Sequence, residues 1–85
     1  MSRQRSMDTI KSSEYVTIGE LVRLTGARYS TLKFYTEEGM LPFQQTQERL
    51  TRRYLREESI SRIVSIKELK AQGRSIPEIK RYFKL

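Results

Sequence analysis

Residues 15–26 read YVTIGELVRLTG and residues 29–42 read YSTLKFYTEEGMLP, and these two stretches decide the fold. In the first stretch, Thr17 and Glu20 have the spacing of a capping box, which predicts that a helix begins directly after Thr17. Gly26 can adopt the positive φ that ends a helix and turns the chain. The pattern therefore predicts a short amphipathic helix, a tight turn and the start of a second helix.

A second helix is predicted over residues 29–38, with Leu32 and Tyr35 three residues apart on its inner side. The side chains expected to point away from the core are Ser30, Thr31, Lys33, Phe34 and Glu37. Gly39 supplies a left-handed cap, and Pro42 prevents the helix from resuming. Two helices joined by such a turn form a known DNA-reading unit, because the second helix can enter a major groove. The same pair also occurs in all-α domains of other functions.

The sequence becomes basic directly behind this helix pair. Four arginines fall within eight residues, namely Arg49, Arg52, Arg53 and Arg56. Residues 43–47 and 50–54 can pair as a β-hairpin around residues 47–49, which would direct arginines toward the phosphates beside a groove. A solvated charged loop is the alternative, because the turn lacks the Asn-Gly or Asp-Gly signal of a tight hairpin.

Charge is unevenly distributed along the 85-residue chain. The sequence has 17 Lys and Arg against 10 Asp and Glu, a formal net charge of +7. Residues 15–43 carry three charges of each sign, whereas residues 44–56 carry four positive charges and one negative. A basic balance alone also suits an anionic membrane or simple solubility. Its position beside the helix pair favours a nucleic acid, and the length allows one small domain.

The chain after the predicted hairpin is expected to be helical, whereas residues 1–14 are not. An apolar stripe that predicts a third helix, ending at Gly73, consists of Ile60, Ile63, Val64, Ile66 and Leu69. Ser75 and Glu78 form a second capping box. One face of the helix that follows is expected to hold Ile79, Tyr82 and Phe83. Residues 1–14 lack apolar periodicity and are interpreted as a flexible basic N-terminal arm, which leaves residues 15–85 as one domain.

The sequence lacks the chemical groups that several classes of function require. The chain has no Cys and no His, so it has no disulfide or thiolate metal site and lacks the commonest metal ligand and acid–base residue. It also has no glycine-rich phosphate loop. No apolar run approaches the ~20 residues of a membrane span, and no signal-peptide segment precedes the domain. We therefore expect no enzyme activity, no cofactor, no metal and no membrane partner, and a cytoplasmic location.

The motifs, taken in order, resemble the DNA-binding domain of MerR-type bacterial transcription regulators. The matching stretches are YVTIGEL (15–21), LTG (24–26), TLKFY (31–35), EGMLP (38–42) and RRY (52–54). The resemblance spans about residues 15–83. It implies a mainly α fold, a winged helix-turn-helix with a short β-hairpin wing and two further C-terminal helices. It also implies double-stranded DNA as the partner.

The resemblance also implies roles for individual residues. It places Ser30, Thr31 and Lys33 in the groove, and Phe34 and Tyr35 beside the phosphates. Arg52 and Arg53 become wing contacts, and Tyr54 anchors the wing to the core. The full set of candidate DNA-binding residues is Thr17, Arg28, Tyr29, Ser30, Thr31, Lys33, Phe34, Tyr35, Arg49, Arg52 and Arg53.

Three functions remain open from the sequence. The first is a sequence-specific transcription regulator that reads the major groove with helix 29–38 and grips the backbone with the wing 43–54. The second is a small architectural DNA-binding factor of recombination or of plasmid or phage maintenance, excisionase-like or partition-associated. The third is a protein-interaction module that uses Tyr82, Phe83 and Leu85, which predicts no salt-dependent DNA affinity.

Assembly is a separate question. Regulators of this kind continue into a long dimerising helix, whereas this chain stops at Leu85. We therefore expect either a fragment of a longer regulator, whose homodimer forms through a coiled coil missing from this chain, or a stand-alone module. A stand-alone module would act as a monomer or assemble head-to-tail on repeated DNA sites.

Overall fold

The computed structural model describes residues 5–45 and 51–85. In chain order these residues form α1 (Met7–Ser12), β1 (Tyr15–Val16), α2 (Ile18–Thr25), α3 (Tyr29–Glu37), β2 (Tyr54–Leu55), α4 (Arg56–Ala71) and α5 (Ile76–Tyr82). The predicted fold class is confirmed, since the described chain is mainly helical, carries one small antiparallel sheet and has a winged helix-turn-helix arrangement.

The helix pair forms as its capping residues predict. Thr17 Oγ1 accepts a hydrogen bond from the Glu20 N–H at 3.1 Å, and a Glu20 carboxylate oxygen accepts one from the Thr17 N–H at 2.9 Å. Gly26 has a φ of 74° and donates its N–H to the carbonyl of Val22. The second helix ends at Glu37, one residue earlier than predicted, and Gly39 has a positive φ of 75°. The predicted helix, turn and helix are therefore confirmed.

The core lies where α2 packs against both α3 and α4. The apolar residues of the C-terminal helices that reach it are Ile63, Ile66, Leu69 and Ile79. Val64 is 48% exposed, so its predicted place beside this stripe is wrong. One step along an α-helix rotates a side chain by about 100°, which turns Val64 away from the side that Ile63 occupies. The prediction that Tyr82 shares one face with Ile79 and Phe83 is also wrong. Tyr82 is 66% exposed, whereas its neighbour Phe83 is half-buried.

The sheet joins two parts of the chain whose pairing was not predicted. β1 runs antiparallel to β2, with Val16 opposite Tyr54. Beyond this sheet, Gln44 and Arg53 exchange two backbone hydrogen bonds of 2.7 and 2.9 Å. The two arms of the predicted wing therefore do pair at this position. The predicted turn at 47–49, which includes Arg49, lies outside the described residues.

The N-terminal segment differs from the flexible arm predicted for residues 1–14. Met7–Ser12 form a helix whose first N–H groups are capped by Ser6, since its hydroxyl accepts from the Thr9 N–H at 3.2 Å. Ile10 is fully buried in the common core. The helix has only two apolar residues, Met7 and Ile10, which are too few to reveal a periodicity in the sequence. Their contacts with the core supply the stability that so short a helix lacks. Residues 1–4 lie outside the described residues.

The packing of α1 predicts the effect of Ile10→Ala. We expect this change to lower the free energy of unfolding by about 2 to 5 kcal/mol, because it removes fully buried volume. Lys11→Ala, on the exposed side of the same helix, should change that free energy by less than about 0.5 kcal/mol. Urea unfolding followed by circular dichroism measures both. Equal, negligible effects of the two substitutions would mean that α1 does not pack on the domain.

Candidate nucleic-acid interface

The helix α3 has two chemically distinct sides. Its exposed side chains are Tyr29, Ser30, Lys33, Phe34 and Glu37, which occupy an arc of about 140° at 3.6 residues per turn. Its buried side chains are Leu32, Tyr35 and Thr36, and Thr31 is half-buried between the two sets. The predicted inner side is confirmed, and so is the outer side except at Thr31, which was expected to point away from the core and is half-buried. Thr36 is a buried residue that the sequence prediction did not include.

The exposed side of α3 offers free hydrogen-bond donors. Lys33 forms no ion pair with any residue of the described ranges, so its three N–H donors face solvent. Arg28, directly before the helix, is exposed and makes no side-chain cap. Two aromatic rings lie on the same side, Tyr29 at 55% and Phe34 at 42% exposure. Such a surface can make both polar and apolar contacts with a ligand.

The buried side of α3 is fixed to the base of the wing. Thr36 Oγ1 donates to the carbonyl of Leu32 at 2.8 Å and lies 2.9 Å from the hydroxyl oxygen of Tyr54. Since the Thr36 proton is already used, the Tyr54 hydroxyl donates in this contact. Tyr54 is fully buried, which confirms its predicted role as the anchor of the wing.

Tyr35 occupies a different environment from the other candidate residues. It is only 5% exposed and lies beside Leu32 in the core. Its backbone carbonyl accepts hydrogen bonds from the N–H groups of Met40 and Leu41, which fixes the chain after α3. The inner position predicted for Tyr35 is confirmed. Any contact of Tyr35 with a phosphate would have to be made by the small part of its surface that remains exposed.

Arg52 and Arg53 project from the base of the wing in different ways. The Arg52 guanidinium lies 4.6 Å above the ring centroid of Phe43, close enough for a cation–π contact. The Phe43 ring in turn lies 6.1 Å from the ring of Tyr54. Arg53 is exposed and forms no ion pair with a described residue. The Arg52 guanidinium is thus held against the Phe43 ring, whereas the Arg53 guanidinium is unpaired among the described residues.

An open cleft of about 840 Å³ brings Thr17 and Arg53 together. Its lining also includes Arg5, Arg23 and Thr51. Sequence reasoning did not identify Arg5 or Arg23 as site residues, because their proximity to Arg53 depends on how distant segments pack. The Thr17 hydroxyl oxygen accepts from the Glu20 N–H in the capping box, so its own O–H remains to bind another group. Lys33 and Phe34 do not line this cleft.

Comparison with known proteins gives one match. The family model for MerR HTH family regulatory proteins matches residues 16–85 of this chain. The chain belongs to the MerR family. This family consists of DNA-binding transcription regulators and is not an enzyme family. Residues 16–85 therefore form a DNA-binding regulator domain, and the resemblance seen in the sequence is confirmed. Searches of curated proteins and of solved structures found no match.

In this MerR-family domain, a network around Glu20 fixes the start of α2. Arg5 donates two hydrogen bonds to the Glu20 carboxylate, at 2.7 and 2.6 Å, and further ones to the Ser13 hydroxyl and the Tyr15 carbonyl. The Arg5 hydrogen bond, followed by the N–H of Thr17, holds the pKa of Glu20 below its ordinary value despite partial desolvation. Glu20 therefore stays ionised while it holds both Arg5 and the capping box.

The parts of the chain that the structure describes contain neither a metal site nor a membrane span. No group of His, Cys, Asp or Glu there could hold a metal ion. Across the same residues, each helix is too short or too polar to pass through a bilayer.

The Glu20 network predicts a pH-dependent stability. Because the folded-state pKa of Glu20 is lowered, its contribution is complete above the ordinary carboxylate pKa of about 4.3 and is lost as the pH falls through the folded-state value. Glu20→Gln should therefore cost about 1 to 2 kcal/mol of unfolding free energy at pH 7, since Arg5 is partly exposed and the pair is screened.

Urea unfolding of wild type and Glu20→Gln between pH 2 and pH 7 measures this effect. The difference between the two proteins should shrink toward zero at the acid end. Glu57→Gln is the control, because that side chain is 86% exposed, and it should change stability by less than about 0.5 kcal/mol throughout. A Glu20→Gln difference that stayed constant with pH would contradict the assigned network.

Proposed function

We propose that this domain reads the major groove of double-stranded DNA with the exposed side of α3 and grips the DNA backbone with the wing, residues 43–54. The observation that carries the proposal is the division of α3 into a buried side and a continuous exposed side. A major groove about 12 Å wide admits one α-helix, and the exposed arc would face the base edges. Membership of a DNA-binding family supports the same use of the helix.

The exposed side of α3 supplies the proposed sequence readout. Lys33 can donate to O6 or N7 of guanine, and the Ser30 hydroxyl can donate or accept at a base edge. Phe34 has no hydroxyl, so it can reach sugar or phosphate neighbours only through apolar contact. The residues proposed to contact DNA are Thr17, Arg28, Tyr29, Ser30, Thr31, Lys33, Phe34, Tyr35, Arg49, Arg52 and Arg53.

The wing supplies the proposed backbone contacts. Phe43 holds the Arg52 guanidinium in place before DNA arrives, which lowers the side-chain entropy lost on binding. Arg53 follows it in the chain, and its backbone is paired with Gln44. Contacts to phosphates carry little sequence information but fix the register and orientation of the protein on the duplex. The wing would therefore raise affinity for all sequences alike.

Transcription regulation is the proposed use of this DNA binding, because the matched family consists of regulators. An architectural factor of recombination or plasmid maintenance would use the same surface, but its sites would be tandem repeats in attachment or partition regions. The symmetry of a footprint also tests assembly: a palindrome indicates a dimer, and direct repeats indicate head-to-tail binding. A cytoplasmic location remains part of the proposal.

Substitution of neighbouring residues on α3 tests the groove assignment. Lys33→Ala should weaken binding to a selected duplex by about 1 to 3 kcal/mol and to random duplex by less, with an unchanged circular dichroism spectrum. Leu32→Ala should instead lower the free energy of unfolding by about 2 to 5 kcal/mol, because Leu32 is fully buried. Fluorescence anisotropy and urea unfolding measure the two effects. An equal loss on both duplexes for Lys33→Ala would make Lys33 a phosphate contact.

Salt dependence tests the wing. Binding of wild type should weaken as salt rises, with a log–log slope of about −0.9 for each phosphate neutralised. Arg52→Ala should make that slope shallower by about one and weaken selected and random duplexes roughly alike. A salt-independent affinity of wild type would remove the DNA proposal. A change in sequence preference alone would show that Arg52 contacts bases.

A further inference from the structure

We propose that the cleft between the N-terminal segment, α2 and the wing is an additional binding site for a backbone phosphate of duplex DNA, formed by Arg23 and Arg53. The inference rests on the proposed function, because it assumes that the wing approaches DNA. It adds a residue of α2 and, indirectly, the segment before residue 16, which lies outside the family match.

The geometry brings two guanidinium groups from distant parts of the chain to one opening. Arg23 lies near the end of α2, and Arg53 lies at the base of the wing, yet both line the same cleft. Both side chains are exposed. A guanidinium carries five N–H donors in a planar fork that suits phosphate oxygens. Two such groups that line one opening can both donate to an anion that enters it.

Arg23 is held in position by the N-terminal segment. Its Nη1 donates a 2.8 Å hydrogen bond to the backbone carbonyl of Arg5. The Arg5 side chain, in turn, is bound to Glu20, Ser13 and the Tyr15 carbonyl. This arrangement uses one donor of Arg23 and leaves the others available. Arg5 therefore acts as a positioning residue for Arg23.

The charge balance of the cleft favours an anion. Three arginines and two glutamates line it, but Arg5 and Glu20 form an ion pair and cancel each other. The remaining charges are Arg23 and Arg53 against Glu14. Arg23 and Arg53 form no ion pair with any residue in the described ranges. Glu14 opposes binding, so the site gains affinity if that single charge is removed.

The position of the cleft beside the wing favours a phosphate of the DNA backbone over a free phosphate. Arg53 lines the cleft and is itself one of the wing residues that the proposed function places on the DNA backbone. A duplex that reaches the wing would bring neighbouring phosphates along the same strand within range of the cleft. A free phosphate would bind without any dependence on a duplex, and this difference can be measured.

The test measures the salt dependence of duplex binding in two matched pairs of variants. Arg23→Ala should weaken binding about tenfold at low salt, on selected and random duplexes alike, and make the log–log slope shallower by about one. Lys67→Ala, an equal loss of charge at an exposed residue of α4 that does not line the cleft, should change neither quantity. Glu14→Gln should tighten binding, whereas Glu57→Gln on α4 should not.

Further measurements separate the outcomes. Arg23→Lys should restore the slope but not the full affinity, which excludes misfolding of the alanine variant as the cause. If wild type binds duplex and Lys33→Ala loses discrimination, while Arg23→Ala matches Lys67→Ala, the cleft inference alone is overturned. If wild type does not bind duplex, both the cleft and the proposed function are overturned. If inorganic phosphate binds wild type in the absence of duplex, and Arg23→Ala abolishes that binding, the cleft is a site for a free anion instead.

Discussion

The hydrogen bond between Thr36 and Tyr54 connects the two proposed DNA-binding surfaces, the exposed side of α3 and the wing. Thr36 lies on the buried side of α3, and Tyr54 lies in β2, opposite Val16 of β1. A buried hydroxyl without a partner costs about 1 to 3 kcal/mol, so the contact disfavours any other rotation of α3 relative to the wing. The exposed side of α3 and the wing residues Arg52 and Arg53 are therefore held in one relative orientation.

A second constraint acts at the start of α2. Arg5 and Glu20 tie the N-terminal segment to the capping box, and Ile10 inserts into the core from the same segment. The described residues before residue 16, which the family match does not cover, therefore support α2. Phosphate binding along the duplex would then involve the wing, the end of α2 and the segment that positions Arg23, while α3 alone would read sequence.

Local signals explain which features could be predicted. The capping boxes at Thr17 and Ser75, the positive φ of Gly26 and the inner position of Leu32 all depend on residues a few positions apart. β1 pairs with β2, and Arg23 and Arg53 line one cleft, although the segments involved lie some 30 to 40 residues apart. Nothing in the local sequence encodes either arrangement. The helix at residues 7–12 was not predicted for the same reason. Its one fully buried residue, Ile10, is buried by contacts with distant segments, which the local sequence does not show.

Chemical-shift mapping by NMR, with a duplex selected from a random library as the ligand, measures directly which surface of the domain contacts DNA. If α3 and the base of the wing form one DNA-binding surface, the largest changes in backbone amide shifts will fall on residues 29–34 and 52–53. The exposed side of α4, around Val64 and Lys67, will change little. Changes centred on α4 and α5, with α3 unaffected, would contradict the account.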